Sequence, residues 1–240
     1  AAVANDEQLE RFMGKWAAMA ITEPGTGSDS ANIRTSATRD GDDFILNGEK
    51  IYVTSGERAD CVVVWATLDR NLGRAAIKSF VVEKGTPGMT VTRLEHKLGI
   101  KASDTAAINF TDCRVPVANL LGNPEIDVGK GFAGVMETFD NTRPLVAAMA
   151  VGCAKASLER TKELLKDYLD PNYSTLPLNA SNVVATVTRM EAEWEAARLL
   201  TLKAAWMADN KQPNSKEASI AKAKAGRVGN EITLKCVELC

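Results

Sequence analysis

The sequence lacks the features that mark secreted, membrane-spanning and disulfide-rich proteins. It holds five cysteines in 240 residues and no Cys-x-x-Cys pair, which argues against a disulfide framework or a metal site. No apolar run approaches the roughly 20 residues of a membrane span, and the first residues, AAVANDEQLER, lack the charged and apolar regions of a signal peptide. We therefore expect reduced thiols, no metal and a cytoplasmic location.

An excess of positive charge is also absent. Lysine and arginine number 29 against 31 aspartate and glutamate residues, so the chain has no basic stripe that would favour a polyanion. With 45% hydrophobic and 25% charged residues, the composition is that of an ordinary globular protein that can bury a sizeable core. We expect no nucleic-acid partner.

The first half of the chain has the twofold periodicity of β-strands. Between residues 16 and 117, apolar and polar residues alternate and turn residues are frequent. We expect strands at 61–67, 77–83 and 106–110, and the pair Asn47-Gly48 favours a type I′ hairpin turn. Short strands with few helical signals between them predict a barrel or sandwich of mainly antiparallel strands.

The second half has helical periodicity from Gly131 onward. A first long helix is expected to run to about residue 169, with Pro144 kinking it or marking a local start. Further helices are expected at 181–209 and from Ser215 to the end of the chain. The apolar stripe of the first helix contains Phe132, Val135, Met136, Phe139, Val146 and Met149. The fold class is therefore α+β, an antiparallel β-barrel-like domain followed by a long-helix bundle.

The loop AITEPGTGSD, residues 20–29, is rich in glycine and hydroxyl side chains. Glycines at 25 and 27 allow positive φ and close approach of backbone N–H groups to a ligand, and Ser28 adds a hydroxyl, which suits a phosphate or pyrophosphate. A Rossmann fingerprint is excluded, because position 30 is serine and the following residues alternate like a strand. A plain Pro-Gly turn between strands explains the loop equally well on these residues alone.

Five segments, in their order and spacing, resemble the acyl-CoA dehydrogenase family. They are ITEPGTGSD at 21–29, LNGEKIYVTSG at 46–56, KLGIKASDT at 97–105, RVPVANLLG at 114–122 and FDNTRPLVAAMAVG at 139–152. The resemblance covers residues 16–165 well and 190–240 more loosely. It implies a central β-barrel between N-terminal and C-terminal helical domains, bound FAD, and desaturation of an acyl-CoA thioester at the α,β carbons with hydride transfer to FAD.

The resemblance also implies a domain plan and partners. Residues 1–15 correspond to the end of an N-terminal helical region, 16–125 to the barrel domain, and 126–240 to an incomplete C-terminal helical bundle. The implied partners are acyl-CoA, an electron-transfer flavoprotein or similar acceptor, and further copies of the chain in a dimer or tetramer. A hetero-oligomer is the alternative.

The flavin contacts of the family correspond to residues of the first two motifs. The Ile21-Thr22 backbone and the Thr22 hydroxyl are implied to face the pyrimidine edge of the isoalloxazine, and Gly27 with Ser28 to meet the pyrophosphate. The Thr54 hydroxyl is implied to approach the flavin N5, where a donor stabilises the charge that develops on reduction. A strand-end threonine that caps its own backbone is the alternative for Thr54.

Two further flavin positions depart from the family pattern. Tyr52 stands where the family usually has tryptophan, and an aromatic ring there is implied to cover one face of the flavin. Met19 stands where tyrosine or phenylalanine is common, so the packing near the flavin is expected to differ.

The substrate residues implied by the resemblance follow Gly131. Phe139, Asp140 and Arg143 are implied to wall the thioester and pantetheine channel, with Asp140 near a pantetheine amide and Arg143 near the CoA side. Ser28 is implied to serve the substrate as well as the cofactor. The alternative is a core phenylalanine beside a solvated ion pair.

The catalytic base that the family requires is not visible in this chain. The family uses a glutamate to remove the α-proton, either at the position that is Thr142 here or in a stretch beyond residue 240. Glu137 and Asp140 are out of register with the first position. An Arg-x-x-Phe-Gly segment is replaced by the residues at 167–179, and Glu238 stands where the family has glutamine. A flavin-free or catalytically silent subunit of a mixed oligomer, and an oxidase or eliminase chemistry, therefore remain as alternatives.

Overall fold

The structure is a computed structural model that describes residues 4–126, 133–166, 169 and 182–240, without the side chains of 133–138. The chain divides into two units, Ala1–Gly134 and Val135–Cys240. The first unit is built of strands and the second of helices, as the change of periodicity near Gly131 predicts.

The first unit contains a short helix and eight strands. The elements are α1 (Asp6–Phe12), β1 (Ala17–Ala20), β2 (Ser36–Asp40), β3 (Asp43–Thr54), β4 (Cys61–Thr67), β5 (Ile77–Glu83), β6 (Met89–Leu94), β7 (Thr105–Pro116) and β8 (Leu120–Leu121). The strands predicted at 61–67 and 77–83 are confirmed at both ends, and the strand predicted at 106–110 lies within β7.

The eight strands form one sheet in the order β6-β7-β3-β2-β4-β5-β8, and β1 pairs with β4. Most neighbours are antiparallel, whereas β1 and β2 each run parallel to β4. The buried side chains of seven of these strands form one apolar core, in which the Phe44 and Phe80 rings meet edge to face at 5.1 Å. Each large side chain that this core removes from water contributes about 1.5–3 kcal/mol. The predicted fold class is confirmed.

The hairpin turn predicted at Asn47-Gly48 is wrong. Strand β3 continues through both residues, and the tight turn lies earlier, between the paired residues Asp40 and Asp43. The register of β3 against β7 shifts around Asn47, which makes the site a bulge. A Cβ atom on Gly48 would lie 2.7 Å from the Cα of Thr35, so glycine is needed here for close backbone approach.

The second unit contains three long helices, α2 (Ala133–Leu164), α3 (Asn182–Asp209) and α4 (Ser215–Leu239). Their bounds confirm the predicted helices to within a few residues. Pro144 lies inside α2 and does not begin it.

The buried face of α2 differs from the predicted stripe. Val146 and Met149 are exposed, whereas Ala147, Ala154 and Leu158 are buried in the helical core. Phe132 and the side chains of Val135 and Met136 lie outside the described residues, and Phe139 is half-buried. The periodicity of the sequence is judged mainly from large apolar residues, whereas the buried faces of these helices consist largely of small ones.

Close approach explains why alanine forms the buried face. A Cβ atom on Gly229 of α4 would lie 3.3 Å from the Cβ of Ala150 on α2. The indole N–H of Trp194 on α3 donates to the Val151 carbonyl of α2 at 3.1 Å. Large side chains at these positions would hold the helices apart.

Large apolar side chains remain exposed on all three helices. They are Leu145, Val146, Met149, Leu164, Leu199, Leu202, Trp206, Ile220, Leu234 and Val237. None of the helices in the described part of the chain is both long and apolar enough to cross a membrane.

We expect Gly48→Ala to lower the free energy of unfolding by about 1–3 kcal/mol more than Gly85→Ala, because the new methyl group overlaps the Thr35 backbone. Gly85 also has positive φ but has open space around an added Cβ, so it controls for the backbone strain alone. Urea unfolding of both variants measures the difference. Equal losses would show that the bulge accommodates a side chain.

Candidate functional site

The loop after β1 closes in a tight turn. The N–H groups of Glu23 and Thr26 each donate to the other residue's carbonyl at 3.0 Å, with Pro24 and Gly25 between them. The Thr26 hydroxyl donates to the Asn32 carbonyl at 3.1 Å. A Pro-Gly turn is therefore present, and it anchors the start of the segment that contains Gly27 and Ser28.

A buried ion pair, which the sequence analysis missed, joins this loop to β3. The Lys50 side chain is 0% exposed and that of Glu23 is 5% exposed, and Lys50 Nζ lies 2.8 Å from Glu23 Oε1. Lys50 Nζ also donates to the Ile21 carbonyl at 2.9 Å. The signal that could have found the pair is a lysine at an inward position of β3, because a buried lysine requires an acidic partner.

Glu23 also holds the far end of the loop. Its carboxylate accepts from the Thr35 N–H at 2.9 Å, the Thr35 hydroxyl at 2.6 Å and the Arg34 N–H at 2.6 Å. The carboxylate thus has three partners besides Lys50. One ion pair ties together the chain at 21–23, at 34–35 and at Lys50.

Both groups of the pair are ionised near neutral pH. Burial lowers the pKa of the Lys50 ammonium to about 8, although the neighbouring Glu23 carboxylate raises it. Burial raises the pKa of Glu23, but the Lys50 charge and the hydrogen bonds from Lys50 and Thr35 together lower it further, so the net pKa lies below its ordinary value.

The first two motifs are also joined through the backbone. The Ile51 N–H donates to the Thr22 carbonyl at 2.9 Å. Ile21 and Thr22, both predicted flavin residues, are therefore held against β3 immediately before Tyr52. The structure brings these three predicted residues together.

The end of β3 carries a second bulge that exposes Tyr52. The register against β7 shifts between Lys50 and Val53, and Tyr52 has a φ of 57° with 61% of its surface exposed. Positive φ is strained for a bulky residue, at a cost of about 1–3 kcal/mol, and persists only where neighbours enforce it. Buried Lys50, Ile51 and Val53 provide that constraint.

The remaining flavin candidates are exposed. Met19 projects between the buried residues Ala18 and Ala20 of β1, and Thr54 is exposed at the last position of β3. Gly27 and Ser28 are exposed in the loop. The positive φ that glycine permits at 25 and 27 is not used, and an added Cβ at either position would meet no atom within 4 Å.

Three hydroxyl groups in this region are available to a ligand. Within the described part of the chain, no hydrogen-bond partner is found for the side chains of Thr22, Ser28 and Thr54. Hydroxyl donors such as these, and the open backbone at Gly27, are of the chemical kind that binds the phosphates and the polar ring edge of a flavin nucleotide. The residues present therefore fit FAD.

Asp104, from the third motif, holds the segment that follows Thr54. Its carbonyl accepts from the Ser55 N–H and its carboxylate from the Glu57 N–H, both at 2.9 Å. Arg58 lies 3.4 Å from the other carboxylate oxygen. The sequence analysis used this motif for family resemblance and missed its local role.

The substrate candidates on α2 contact one another. Arg143 Nη1 donates to Asp140 Oδ1 at 2.6 Å, and the guanidinium lies 5.6 Å from the centroid of the Phe139 ring. Both charged side chains are only partly exposed.

The Asn214 amide donates to the Ala204 carbonyl at 3.0 Å, which fixes the start of α4 against α3.

Among the described side chains, no free carboxylate is found at the positions considered for a base. Asp140 is paired with Arg143, and the Glu137 side chain lies outside the described residues. The Thr142 hydroxyl donates to the Phe139 carbonyl at 3.3 Å.

The sequence departs from the family pattern at two further places. Residues 167–179 lie outside the described residues except for Leu169, and Glu238 is exposed and paired with Lys235.

Comparison with protein-family models gives two matches. Residues 18–113 match the acyl-CoA dehydrogenase middle domain, and residues 129–240 match the acyl-CoA dehydrogenase C-terminal domain. The two matches follow one another along the chain and correspond to its strand-rich and helical parts.

Relatives and solved structures agree with these matches. The chain is 38% identical to the mitochondrial short-chain specific acyl-CoA dehydrogenase of Mus musculus, over 92% of this chain and 52% of that protein. The structure of butyryl-CoA dehydrogenase from Megasphaera elsdenii has a TM-score of 0.88 at 35% identity and covers 98% of this chain and 62% of that chain. A chain in the structure of the electron transferring flavoprotein of Acidaminococcus fermentans has a TM-score of 0.88 at 34% identity, with the same coverage. The chain thus spans only part of the length of each relative.

We expect Lys50→Met to lower the free energy of unfolding by about 3–5 kcal/mol, because Glu23 is left buried without its counter-charge. The double variant Glu23→Gln/Lys50→Met should lose less than Lys50→Met alone, since no uncompensated charge remains. Urea unfolding of the single and double variants measures the coupling. A double variant less stable than Lys50→Met would contradict this account.

The lowered pKa of Glu23 predicts a pH dependence. Its stabilising contribution is fully present above the ordinary carboxyl pKa of 4.5 and is lost as the pH falls through the lower folded-state pKa. The difference in free energy of unfolding between the natural protein and Glu23→Gln should therefore shrink below pH 4.5. Denaturant unfolding at pH 7 and at successively lower pH measures it; a difference that does not change with pH would show that Glu23 does not titrate.

Proposed function

Because the chain belongs to the acyl-CoA dehydrogenase family, we propose that it forms part of an FAD-dependent enzyme that desaturates an acyl-CoA thioester between the α and β carbons. Members of this family are flavoproteins, and FAD when bound accepts the hydride that leaves the β-carbon. The observation that carries the proposal is the loop at 21–29, which is fixed to β3 and presents open backbone together with the hydroxyls of Thr22 and Ser28, for which the described residues provide no partner.

The cofactor residues divide by the part of FAD that each would hold. The Ile21-Thr22 backbone, whose carbonyls are fixed by Lys50 and by the Ile51 N–H, and the adjacent Thr22 hydroxyl would hold the polar ring edge. The exposed Gly27 backbone and the Ser28 hydroxyl bind the pyrophosphate. The Thr54 hydroxyl would supply a hydrogen-bond donor to the flavin N5, which would lower the free energy of the reduced ring.

Tyr52 and Met19 supply apolar contact for the flavin ring. Tyr52 is held outward at positive φ by its buried neighbours, so its ring is available for stacking without a conformational change. Met19 presents a flexible thioether that can adapt to an aromatic surface.

The substrate part of the proposal uses α2. Phe139 provides an apolar wall for the acyl-pantetheine, Asp140 accepts from a pantetheine amide, and Arg143 faces the CoA side. The Asp140–Arg143 pair fixes both side chains in advance of binding, which lowers the ordering cost. Ser28 contributes a hydroxyl to the substrate as well as to the cofactor.

The α-proton must be removed by a general base, and we assign that role to no described residue. Asp140 is held by Arg143 and is therefore poorly placed to accept a proton.

The proposal includes partners and location. An electron-transfer flavoprotein is the expected electron acceptor, supported by the similarity to a chain of the Acidaminococcus fermentans structure. The exposed apolar side chains of α2, α3 and α4 support a homo-oligomer, a dimer or tetramer. The five free cysteines support a reducing compartment such as the cytoplasm.

The colour and reactivity of the purified protein test the proposal. We expect a visible flavin absorption band that is bleached when butyryl-CoA is added without oxygen. Butyryl-CoA is the first substrate to test, because the relatives include a short-chain specific enzyme and a butyryl-CoA dehydrogenase. Absence of flavin would favour the silent subunit, and rapid reoxidation by oxygen would indicate an oxidase.

We expect Thr54→Val to slow flavin reduction by about 10²-fold with a modest loss of FAD binding, because the variant keeps the side-chain shape and removes one donor. Thr90→Val, at an exposed position of β6, is the matched control. Stopped-flow reduction by butyryl-CoA measures both rates. An unchanged rate in Thr54→Val would assign Thr54 a structural role.

A further inference from the structure

The Glu23–Lys50 pair has more partners than a simple stabilising ion pair requires. Replacing a buried ion pair with apolar side chains of similar volume is often neutral or stabilising, so its presence here is not explained by stability alone. Its partners are backbone groups at 21 and at 34–35, which are the two ends of the segment that contains Gly27 and Ser28. The pair therefore determines where that segment begins and ends.

The same lysine leads directly into the bulge of β3. Lys50 and Ile51 are the last residues before Tyr52, and the Ile51 N–H bonds to the Thr22 carbonyl at 2.9 Å. A displacement of Lys50 would therefore move the loop and the Tyr52 bulge together. The apolar core of the sheet is formed by other side chains, on seven strands.

We propose that Glu23 and Lys50 are positioning residues of the cofactor site: their buried pair clamps both ends of the loop at 21–35 and registers it against β3, so that the loop is preformed for FAD. The inference rests on the proposed function. Neither side chain contacts FAD in this account. Both act by fixing the Ile21-Thr22 backbone, and preorganisation of this kind raises affinity by removing an ordering cost on binding.

A matched control separates positioning from general stability. Asn119 is also buried in the first unit, and its amide donates to the Val81 carbonyl at 2.8 Å. Its side chain also accepts from Arg11 at 2.9 Å and, within the described part of the chain, it bonds neither to the loop at 21–35 nor to Lys50. Asn119→Leu therefore destabilises the barrel at a different place. The two variants are compared under conditions of denaturant or temperature that give them the same free energy of unfolding. Any remaining difference between Lys50→Met and Asn119→Leu then reports on the loop.

Binding and redox measurements on the purified protein test the effect on the cofactor. We expect Lys50→Met to raise the Kd for FAD about tenfold and to lower the midpoint potential of the flavin that remains bound, because the Ile21-Thr22 backbone no longer faces the ring in a fixed position. Asn119→Leu should change neither quantity at matched stability. Glu23→Gln, which keeps the side-chain shape, should change both in the same direction by less, and it replaces Lys50→Met if that variant does not fold.

Hydrogen exchange gives a readout that does not depend on flavin. The Arg34 and Thr35 amides, which donate to Glu23, should exchange at least about tenfold faster in Lys50→Met and remain protected in Asn119→Leu. Equal changes in both variants, in binding and in exchange, would overturn the inference and leave the proposed function intact. A natural protein that binds no FAD would overturn the proposed function and, with it, this inference.

Discussion

A fully buried lysine ammonium is the constraint on which the candidate cofactor site depends. Lys50 can leave water only because the Glu23 carboxylate compensates its charge and the Ile21 carbonyl accepts one of its hydrogens. Glu23 in turn needs the Arg34 and Thr35 donors, because a buried carboxylate with unused lone pairs is costly. The positions of the loop after β1 and of the strand β3 follow from satisfying these two charges together.

The strain in β3 is a consequence of the same packing. Lys50 and Ile51 are consecutive and both buried, which breaks the alternation of a regular strand, and β3 accommodates this with a bulge in which Tyr52 has a positive φ. The result is an aromatic ring displayed to the exterior next to a fixed backbone. Such strain is tolerated where surrounding contacts over-determine the conformation, and it is common at binding sites.

In the helical unit, close packing of small residues, and not a buried ion pair, fixes the positions of the helices. Alanine and glycine on the facing surfaces let the helix backbones approach closely, and the Asn214 amide fixes the start of α4 to the Ala204 carbonyl. Asp140 and Arg143 sit on this rigid support as a preformed pair. Their position on one helix face could be predicted from their spacing of three residues. Only the structure shows that they pair with each other and that the Arg143 guanidinium lies by the Phe139 ring.

The sequence by itself determined the fold class, the ends of β4 and β5, and the extents of the three helices, because alternation and helical periodicity are local records of which side chains are buried. It also located the candidate cofactor loop through its motif. Only the tertiary structure decided that Asn47-Gly48 forms a bulge and not a turn. Glycine is required at position 48 because the Thr35 backbone approaches it closely, and not because of the residues next to it in the sequence. Likewise, Glu23 and Lys50 are 27 residues apart, and their partnership exists only because folding removes both from water.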